Sequence, residues 1–300
     1  MERRGVRQAV FLPFAAALLA SSCVRQPAPV GQGVHYVVGA GYRAGTVWYY
    51  PREDFHYDAT GLASVLPAGR TVTADGEVTD GTALTAAHQT LQLPSVVRVT
   101  NLETGLQVSV RVNDRGPQSP GRLIALSRRT AELLGINGVA RVRVQTDEAA
   151  STALRDQLHG GPMLAVAAAP RGAVRAEALP PPPGVSQSSR GRSAGVTRAA
   201  TETGPTASAI VPERLPETVQ RAGAAPGRLM IAAGSFGQVG YARQVAARLG
   251  GIGADVEQVR ELRGASYRVK AGPLADVAAA DAALERAMRA GVTDARIVIE

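Results

Sequence analysis

Hydrophobic residues in the middle of this chain alternate with polar ones at a period of two. Gln107–Asn113 alternates cleanly, and the β-branched run Val96–Thr100 precedes it. This alternation is typical of strands that bury one face. Asn101–Gly105, between the two runs, predicts a hairpin turn. The pattern therefore predicts a mainly β domain, to which we assign residues 42–146.

The same segment contains a helix and a closing strand. Ser127 is a suitable N-cap and Gly135 a suitable C-cap, so the residues between them are predicted to be helical. Ala140–Gln145 alternates again and predicts the last strand.

The C-terminal segment, residues 227–300, has an internal two-fold pattern of strand, break and helix. Four apolar runs predict strands and two amphipathic stretches predict helices, in the order β-α-β-β-α-β. We predict a small ferredoxin-like sheet with both helices on one face. The strands and the better-defined helix are Leu229–Ala233, Ala254–Arg260, Tyr267–Ala271, Val277–Arg289 and Arg296–Ile299.

Two other segments have few bulky apolar residues. Residues 147–226 are dominated by Ala, Pro, Gly, Ser and Arg and include the run Pro180–Pro183. Such a composition cannot build a core, so we predict a disordered linker. Residues 23–41 have a similar character and are predicted to be a tether.

Residues 1–22 are predicted to be an export signal, because an Arg-rich start is followed by an apolar run too short to span a bilayer. The run ends in small residues before Cys23, which resembles the bacterial lipoprotein box. We expect Cys23 to be lipidated and to anchor the chain in a membrane. An ordinary secretory signal with an incidental cysteine is the alternative. Val24, where aspartate commonly marks inner-membrane retention, favours the periplasmic face of the outer membrane.

The charge balance is basic, with a formal net charge of +8, and Lys270 is the only lysine. A basic surface suits nucleic acid, anionic lipid or acidic polysaccharide. Aromatic residues make up only 4% of the chain, and no basic stripe is interleaved with them. The composition and the export signal lead us to predict no nucleic-acid partner.

The most informative local chemistry is in Asn113–Pro117. Asp114 ends an alternating strand, and glycine and proline stiffen the turn behind it. A carboxyl group in this position can present a proton to a substrate. It can equally cap the turn. Arg115 and Arg122 could pair with substrate carboxylates, or could hold Asp114 ionised and lower its pKa.

Three further polar residues have two interpretations each. Glu77 and Asp80 lie in a Gly-rich loop and are either solvated turn residues or groove residues. His88 is either a satisfied, semi-buried histidine or a substrate contact. The loop lacks EF-hand spacing, and His56 has no second histidine at ligand spacing. We predict no metal site and no cofactor.

Several blocks of residues in order resemble the rare lipoprotein A family of septal cell-wall enzymes, which share a six-stranded double-psi β-barrel. The resemblance implies a lytic transglycosylase in which Asp114 is the general acid and base. It also implies that Glu77, Asp80 and His88 lie around the substrate groove, and we add Arg115 and Arg122 as candidate contacts. The blocks are Thr73–Glu77, Leu84–His88, Val97–Leu102, Val110–Pro117 and Arg122–Ser127.

The C-terminal segment resembles the sporulation-related repeat, or SPOR domain, which binds glycan strands stripped of peptide stems. The resemblance depends on Gly234–Phe236, Tyr267–Val269 and Gly272–Pro273. It implies glycan contacts from Phe236, Tyr267 and Arg268.

The sequence departs from these families at sugar-contact positions. The Trp-Tyr-Gly stretch usual in the barrel family is replaced by Val65–Pro67, and a usual acid is replaced by Ala125. Ala232 stands where the SPOR family commonly has a glutamine on the first strand. Trp48–Tyr50 either substitutes for the missing aromatics or packs on the barrel.

We therefore expect a monomeric envelope lipoprotein that cleaves the β-1,4 MurNAc–GlcNAc bond of peptide-free glycan strands at the division septum and leaves 1,6-anhydro ends. A single carboxyl group suffices, because the sugar's 6-hydroxyl replaces water as the nucleophile. A non-enzymatic glycan binder or division scaffold is the alternative. A wall loosener without bond cleavage is a third possibility.

Overall fold

The computed structural model describes residues 33–45, 47–158, 213–261 and 264–300. The first part contains β1 (Tyr42–Ala44), β2 (Val47–Tyr49), β3 (Asp58–Val65), β4 (Thr71–Val72), β5 (Val78–Thr79), β6 (Thr85–His88), β7 (Ser95–Asn101), β8 (Leu106–Asp114), β9 (Arg122–Leu126), α1 (Arg128–Leu133), β10 (Ala140–Thr146) and α2 (Glu148–Gln157). The second part contains β11 (Val219–Arg221), β12 (Leu229–Phe236), α3 (Val239–Arg248), β13 (Ala254–Glu261), β14 (Gly264–Leu274), α4 (Val277–Arg289) and β15 (Arg296–Ile299).

Six strands close into a barrel in the order β8-β6-β9-β3-β10-β7, and β7 pairs with β8 to complete the ring. The pairs β6–β8 and β3–β9 are parallel, and the others are antiparallel. The predicted six-stranded double-psi β-barrel is confirmed. Its interior is filled by aliphatic side chains from the alternating strands, among them Val97, Val99, Val108, Val110, Val112, Ile124, Leu126, Val142 and Val144.

Local signals in the barrel sequence correspond to the observed turns and caps. Gly105 closes the β7–β8 hairpin with φ +73°, in the left-handed region that glycine tolerates. The Ser127 side chain accepts a hydrogen bond from Thr130 N at 3.2 Å and caps α1. Gly135 follows that helix with φ +64°.

The C-terminal domain has the predicted βαββαβ order. Its antiparallel sheet is ordered β13-β14-β12-β15, as expected for a ferredoxin-like fold. Helices α3 and α4 pack on the sheet, and α4 buries Ala280, Ala283, Leu284 and Ala287. The predicted fold of this domain is confirmed.

The structure differs from the sequence prediction at both ends of the predicted linker. Asp147 caps α2, and buried Ser151 of that helix both accepts from Val96 N (2.9 Å) and donates to Val96 O (3.1 Å). β11 pairs with the start of β8. Few bulky apolar residues are needed here because backbone hydrogen bonds attach both segments to the barrel. Residues 159–212 lie outside the described part.

The end of the predicted tether is also part of the barrel domain. Val37 and Leu93 exchange backbone hydrogen bonds of 2.7 and 2.8 Å, and Tyr36 is buried with its hydroxyl donating to Glu53. The predicted signal and Cys23 lie outside the described residues. No helix within the described ranges is long and apolar enough to cross a membrane.

The two domains contact each other along β3, β15 and α4. Thr60 donates its hydroxyl to Ile299 O (2.7 Å) and accepts from Ile299 N (3.1 Å). Leu62 of β3 is fully buried in a cluster with apolar residues of the C-terminal domain. A Cβ on Gly121 would lie 2.8 Å from both Leu284 and Ile297, so glycine permits this close approach.

Candidate active site

Asp114 is the last residue of β8 and lies half-buried at the rim of the barrel. Its Oδ1 accepts hydrogen bonds from Arg115 N (2.8 Å) and Ala74 N (3.0 Å). Within the described residues no hydrogen bond is recorded to Oδ2. Two backbone groups thus fix one oxygen of this carboxyl group.

The pKa of Asp114 is raised above its ordinary value. Burial is the largest cause, and it outweighs the lowering effect of the two backbone hydrogen bonds and of the Arg115 charge. A raised pKa keeps a larger fraction of the carboxyl protonated near neutral pH, which suits a general acid. The Arg115 charge lowers this pKa, as the sequence allowed, but its effect is smaller than that of burial.

The Arg115 guanidinium is engaged by main-chain carbonyls. It donates to Leu91 O and Val38 O, both at 2.5 Å, and thereby holds the 35–38 segment against the barrel. Substrate binding by Arg115 stays a prediction, and the geometry favours a role in positioning this segment.

Glu77 lies beneath the rim rather than in an open groove. It accepts from Arg111 Nη2 at 2.6 Å and from Asn113 Nδ2 at 2.8 Å. The Arg111 side chain is only 3% exposed and the Glu77 side chain 14% exposed. Glu77 therefore fixes the residue before Asp114; its substrate contact stays a prediction, and this geometry favours a positioning role.

Asp75 is a functional candidate that the sequence reasoning missed. It is fully buried, and Oδ1 accepts from the Thr73 hydroxyl (2.7 Å) and from Glu77 N (3.0 Å), while Oδ2 is buried and has no hydrogen-bond partner among the described residues. Burial raises its pKa to about 6. Its loop carries Ala74, whose N–H binds Asp114. The Asp-Gly pair at the loop tip was the available signal.

Asp80 has the geometry of a solvated turn residue, the first of its two interpretations. It is exposed, and its Oδ1 accepts from the backbone and hydroxyl of Thr82 at 3.0 and 2.6 Å, as in an Asx turn. The predicted groove contact is not supported by this geometry, because the carboxylate is used within its own turn.

His88 is enclosed in the protein interior, 1% exposed. Its Nδ1 accepts from the backbone N–H groups of Thr90 and Leu91, both at 3.2 Å, so Nε2 carries the proton and donates to Tyr57 Oη at 3.1 Å. Burial lowers the pKa of His88 to about 3. The predicted substrate contact is wrong, and the alternative, a satisfied buried histidine, is correct.

Arg122 is engaged by the other domain. Its two terminal nitrogens bind the Asp281 carboxylate of α4 at 2.7 and 2.8 Å. Binding of a substrate carboxylate by Arg122 stays a prediction; in this arrangement a protein carboxylate holds the guanidinium bidentately.

The three predicted glycan contacts of the C-terminal domain do not share one face. Phe236 and Tyr267 are opposite each other on β12 and β14, half-buried against the cluster that α3 covers. Arg268 is exposed, on the face of β14 that also carries Lys270. Only Arg268 among the three lies on the open face of the sheet.

The three aromatic residues Trp48–Tyr50 do not all have the same environment. Tyr49 stacks on Tyr42, with ring centroids 5.6 Å apart, whereas Trp48 and Tyr50 point outward and are 56% and 66% exposed. No group of three or more His, Cys, Asp or Glu side chains that could hold a metal occurs in the described part of the chain.

The described residues thus combine a closed six-stranded barrel, in which Asp114 ends one strand, with a βαββαβ domain. Residues 49–145 match the family described as lytic transglycolase, and residues 225–297 match the SPOR domain. The barrel therefore belongs to the lytic transglycolase family, the C-terminal domain is a SPOR domain, and the resemblances inferred from the sequence are confirmed.

Part of this chain is similar to proteins named endolytic peptidoglycan transglycosylase RlpA. The Yersinia pestis protein is 50% identical over 91 residues, 30% of this chain and 25% of the relative. The Escherichia coli K12 protein is 38% identical over 146 residues, 48% of this chain and 38% of the relative. A Pseudomonas aeruginosa protein is 50% identical over 103 residues, 32% and 30% of the two chains. The matches thus span well under half of each relative.

Proposed function

We propose that this chain is a peptidoglycan lytic transglycosylase that cleaves the β-1,4 bond between MurNAc and GlcNAc. The observation that carries the proposal is the environment of Asp114. One carboxyl oxygen is held by two backbone N–H groups, the other accepts no hydrogen bond from the residues that the structure describes, and the pKa is raised. The family of the barrel and the names of its relatives support the same reaction class.

Asp114 would act twice. Its protonated Oδ2 gives the proton to the glycosidic oxygen as the C1–O4 bond breaks and the glycan leaves with a new hydroxyl. The 6-hydroxyl of the same MurNAc forms the new bond to C1, and Asp114 takes the hydroxyl proton, which restores the acid. The N–H groups of Ala74 and Arg115 stabilise the transient carboxylate. The product is a 1,6-anhydro end.

The other parts of the proposal concern location. The SPOR domain would hold peptide-free strands through the exposed face that carries Arg268, with Phe236 and Tyr267 supporting the sheet from the covered side. A lipid on Cys23 would anchor a monomer to the outer membrane, facing the periplasm, and the SPOR domain would concentrate it at the septum. Tethering raises local concentration without new contacts.

A non-enzymatic glycan binder is the second candidate. The engagement of Arg122 by Asp281 and the presence of Ala125 favour it, because both reduce the polar groups available for substrate.

Digestion of purified peptide-free glycan strands, followed by mass spectrometry, separates the two candidates. We expect 1,6-anhydro products from the unaltered chain and a rate about 10²- to 10⁴-fold lower with Asp114→Asn. Asp156→Asn, an exposed carboxylate on α2, is the matched control and should not change the rate. Strand binding without new ends would support the binder.

The pH dependence gives an independent check. The acid form of Asp114 is required for bond cleavage, and its population falls as pH rises through the pKa. Because this pKa is raised, the alkaline decline should begin at a higher pH than for an ordinary aspartate.

A further inference from the structure

An exposed aromatic surface lies on the β1–β2 hairpin. Trp48 and Tyr50 are 56% and 66% exposed, and their rings stack with centroids 6.4 Å apart and planes 18° apart. The hairpin lies almost entirely before residue 49, where the match to the lytic transglycolase family begins. Two large rings exposed side by side are typical of a binding surface.

The hairpin holds these rings in a defined position. The period of two sends Trp48 and Tyr50 outward, while Tyr49 turns inward and stacks on Tyr42. A Cβ on Gly41 would lie 3.0 Å from the Tyr50 ring, so the glycine lets this ring lie against the backbone. A preorganised aromatic surface loses little entropy on binding.

The hairpin is connected to the neighbourhood of Asp114. The Tyr42 hydroxyl donates to Gln89 O at 3.1 Å, and Gln89 Nε2 donates to Pro117 O and Arg122 O at 3.4 and 2.9 Å. Pro117 is three residues beyond Asp114. The same glutamine thus contacts both the aromatic hairpin and the loop that follows the candidate acid.

The outward surface also carries a cation. Arg43 is paired directly opposite Trp48, is exposed, and uses Nε to donate to Gly45 O at 2.8 Å. The C–H faces of pyranose rings are apolar and stack on aromatic rings. A muramic acid residue without its peptide has a free lactyl carboxylate, which suits a guanidinium.

We propose that Trp48, Tyr50 and Arg43 form a sugar subsite that binds the peptide-free glycan strand next to Asp114. The two rings stack on successive sugars, and Arg43 pairs with a muramic carboxylate. This inference rests on the proposed function for its substrate, and it identifies the residues that position the strand at the barrel.

Fluorescence tests binding directly, because Trp48 is the only tryptophan in the chain. The full-length Asp114→Asn chain is titrated with purified peptide-free glycan strands. We expect a saturable change in Trp48 emission, with weaker apparent affinity in Arg43→Ala and Tyr50→Ala. Tyr241→Ala, an exposed tyrosine on α3 of the SPOR domain, is the matched control and should not alter the titration.

Kinetics on the same strands give the second test. Trp48→Ala should raise KM about 3- to 10-fold with kcat within about twofold, and Trp48→Phe should restore most of the loss. A silent fluorescence titration with unchanged KM in Trp48→Ala, Tyr50→Ala and Arg43→Ala would overturn the subsite, even if the chain cleaves strands. A fluorescence response without any cleavage would support the subsite and overturn the proposed transglycosylase.

Discussion

The barrel and the SPOR domain use charged residues in opposite ways. In the barrel, Arg111 and Asp75 are buried, and Arg111 pairs with the Glu77 carboxylate 34 positions away, whose side chain is 14% exposed. In the SPOR sheet, Lys270 is paired with Glu257 of the neighbouring strand and with Glu300, both of which are substantially exposed to solvent. The barrel rim therefore depends on polar contacts for its shape, whereas the SPOR domain depends on its apolar core.

Polar contacts in the barrel fix the position of Asp114, whereas burial of its carboxyl group raises its pKa. Ala74 donates to Asp114 across 40 positions of sequence, and the Glu77 contacts to Arg111 and Asn113 hold the strand end that bears it. A single polar substitution can disturb this arrangement. The exposed SPOR pairs are screened by water and tolerate change.

The largest expected effect is the loss of a buried charge in the barrel. Glu77→Ala leaves the Arg111 guanidinium buried without its carboxylate, and we expect the free energy of unfolding to fall by about 3–5 kcal/mol. Lys270→Ala is the matched change in the SPOR sheet and should cost about 1 kcal/mol or less. Urea denaturation measures both. Equal losses of unfolding free energy in the two variants would contradict the difference between buried charges in the barrel and exposed charges in the SPOR sheet.

A second effect comes from the buried histidine. The folded pKa of His88, about 3, lies below the unfolded value of about 6.5, so the unfolded chain binds an additional proton between these values. The contribution of neutral His88 to the free energy of unfolding is complete above pH 6.5. It falls as pH decreases, and about 3 kcal/mol is lost at pH 4. Urea denaturation at several pH values should show this slope. The NMR ring signals of His88 should not shift between pH 8 and 5; a titration in that range would contradict the buried placement.

Asp75 should have the opposite effect on the pH dependence of stability. Its folded pKa, about 6, lies above the unfolded value of about 3.9, so the folded chain binds an additional proton between these values. The contribution of Asp75 to the free energy of unfolding is therefore complete below the unfolded pKa and is lost as pH rises through 6. Asp75→Asn removes the buried charge and should stabilise the chain by about 1–3 kcal/mol at pH 7.5. The gain should vanish below pH 4. A destabilised variant at pH 7.5 would show instead that the carboxylate is needed for the loop.

The smallest effect is at the contact between the domains. Arg122→Ala removes the bidentate pair with Asp281, whose side chain is 41% exposed, and should cost about 1 kcal/mol. Hydrogen exchange should become faster in α4 and β15 and stay unchanged in β7 and β8. Asp281→Asn should have a similar effect, and unchanged exchange in both variants would mean that the pair does not hold the domains together.

Much of the fold was predictable because its signals are local. The alternation of β8 and β10, the Ser127 cap and the bounds of α4 and β15 all agree with the sequence patterns. The position of Asp114 at a strand end followed from the same alternation. The first residues after the barrel were mispredicted, since the attachment of α2 depends on Ser151 and Val96, which are far apart in sequence.

The sequence by itself determined the order of elements, the apolar faces and the place of the acid, because periodicity and capping act within a few residues. The tertiary structure decided which side chains are enclosed, which are paired and which stay exposed. It enclosed His88, paired Arg122 with a carboxylate 159 positions away, and left Trp48 in solvent. Such outcomes depend on how the barrel closes and on what packs against it, and residue type and local spacing do not carry that information.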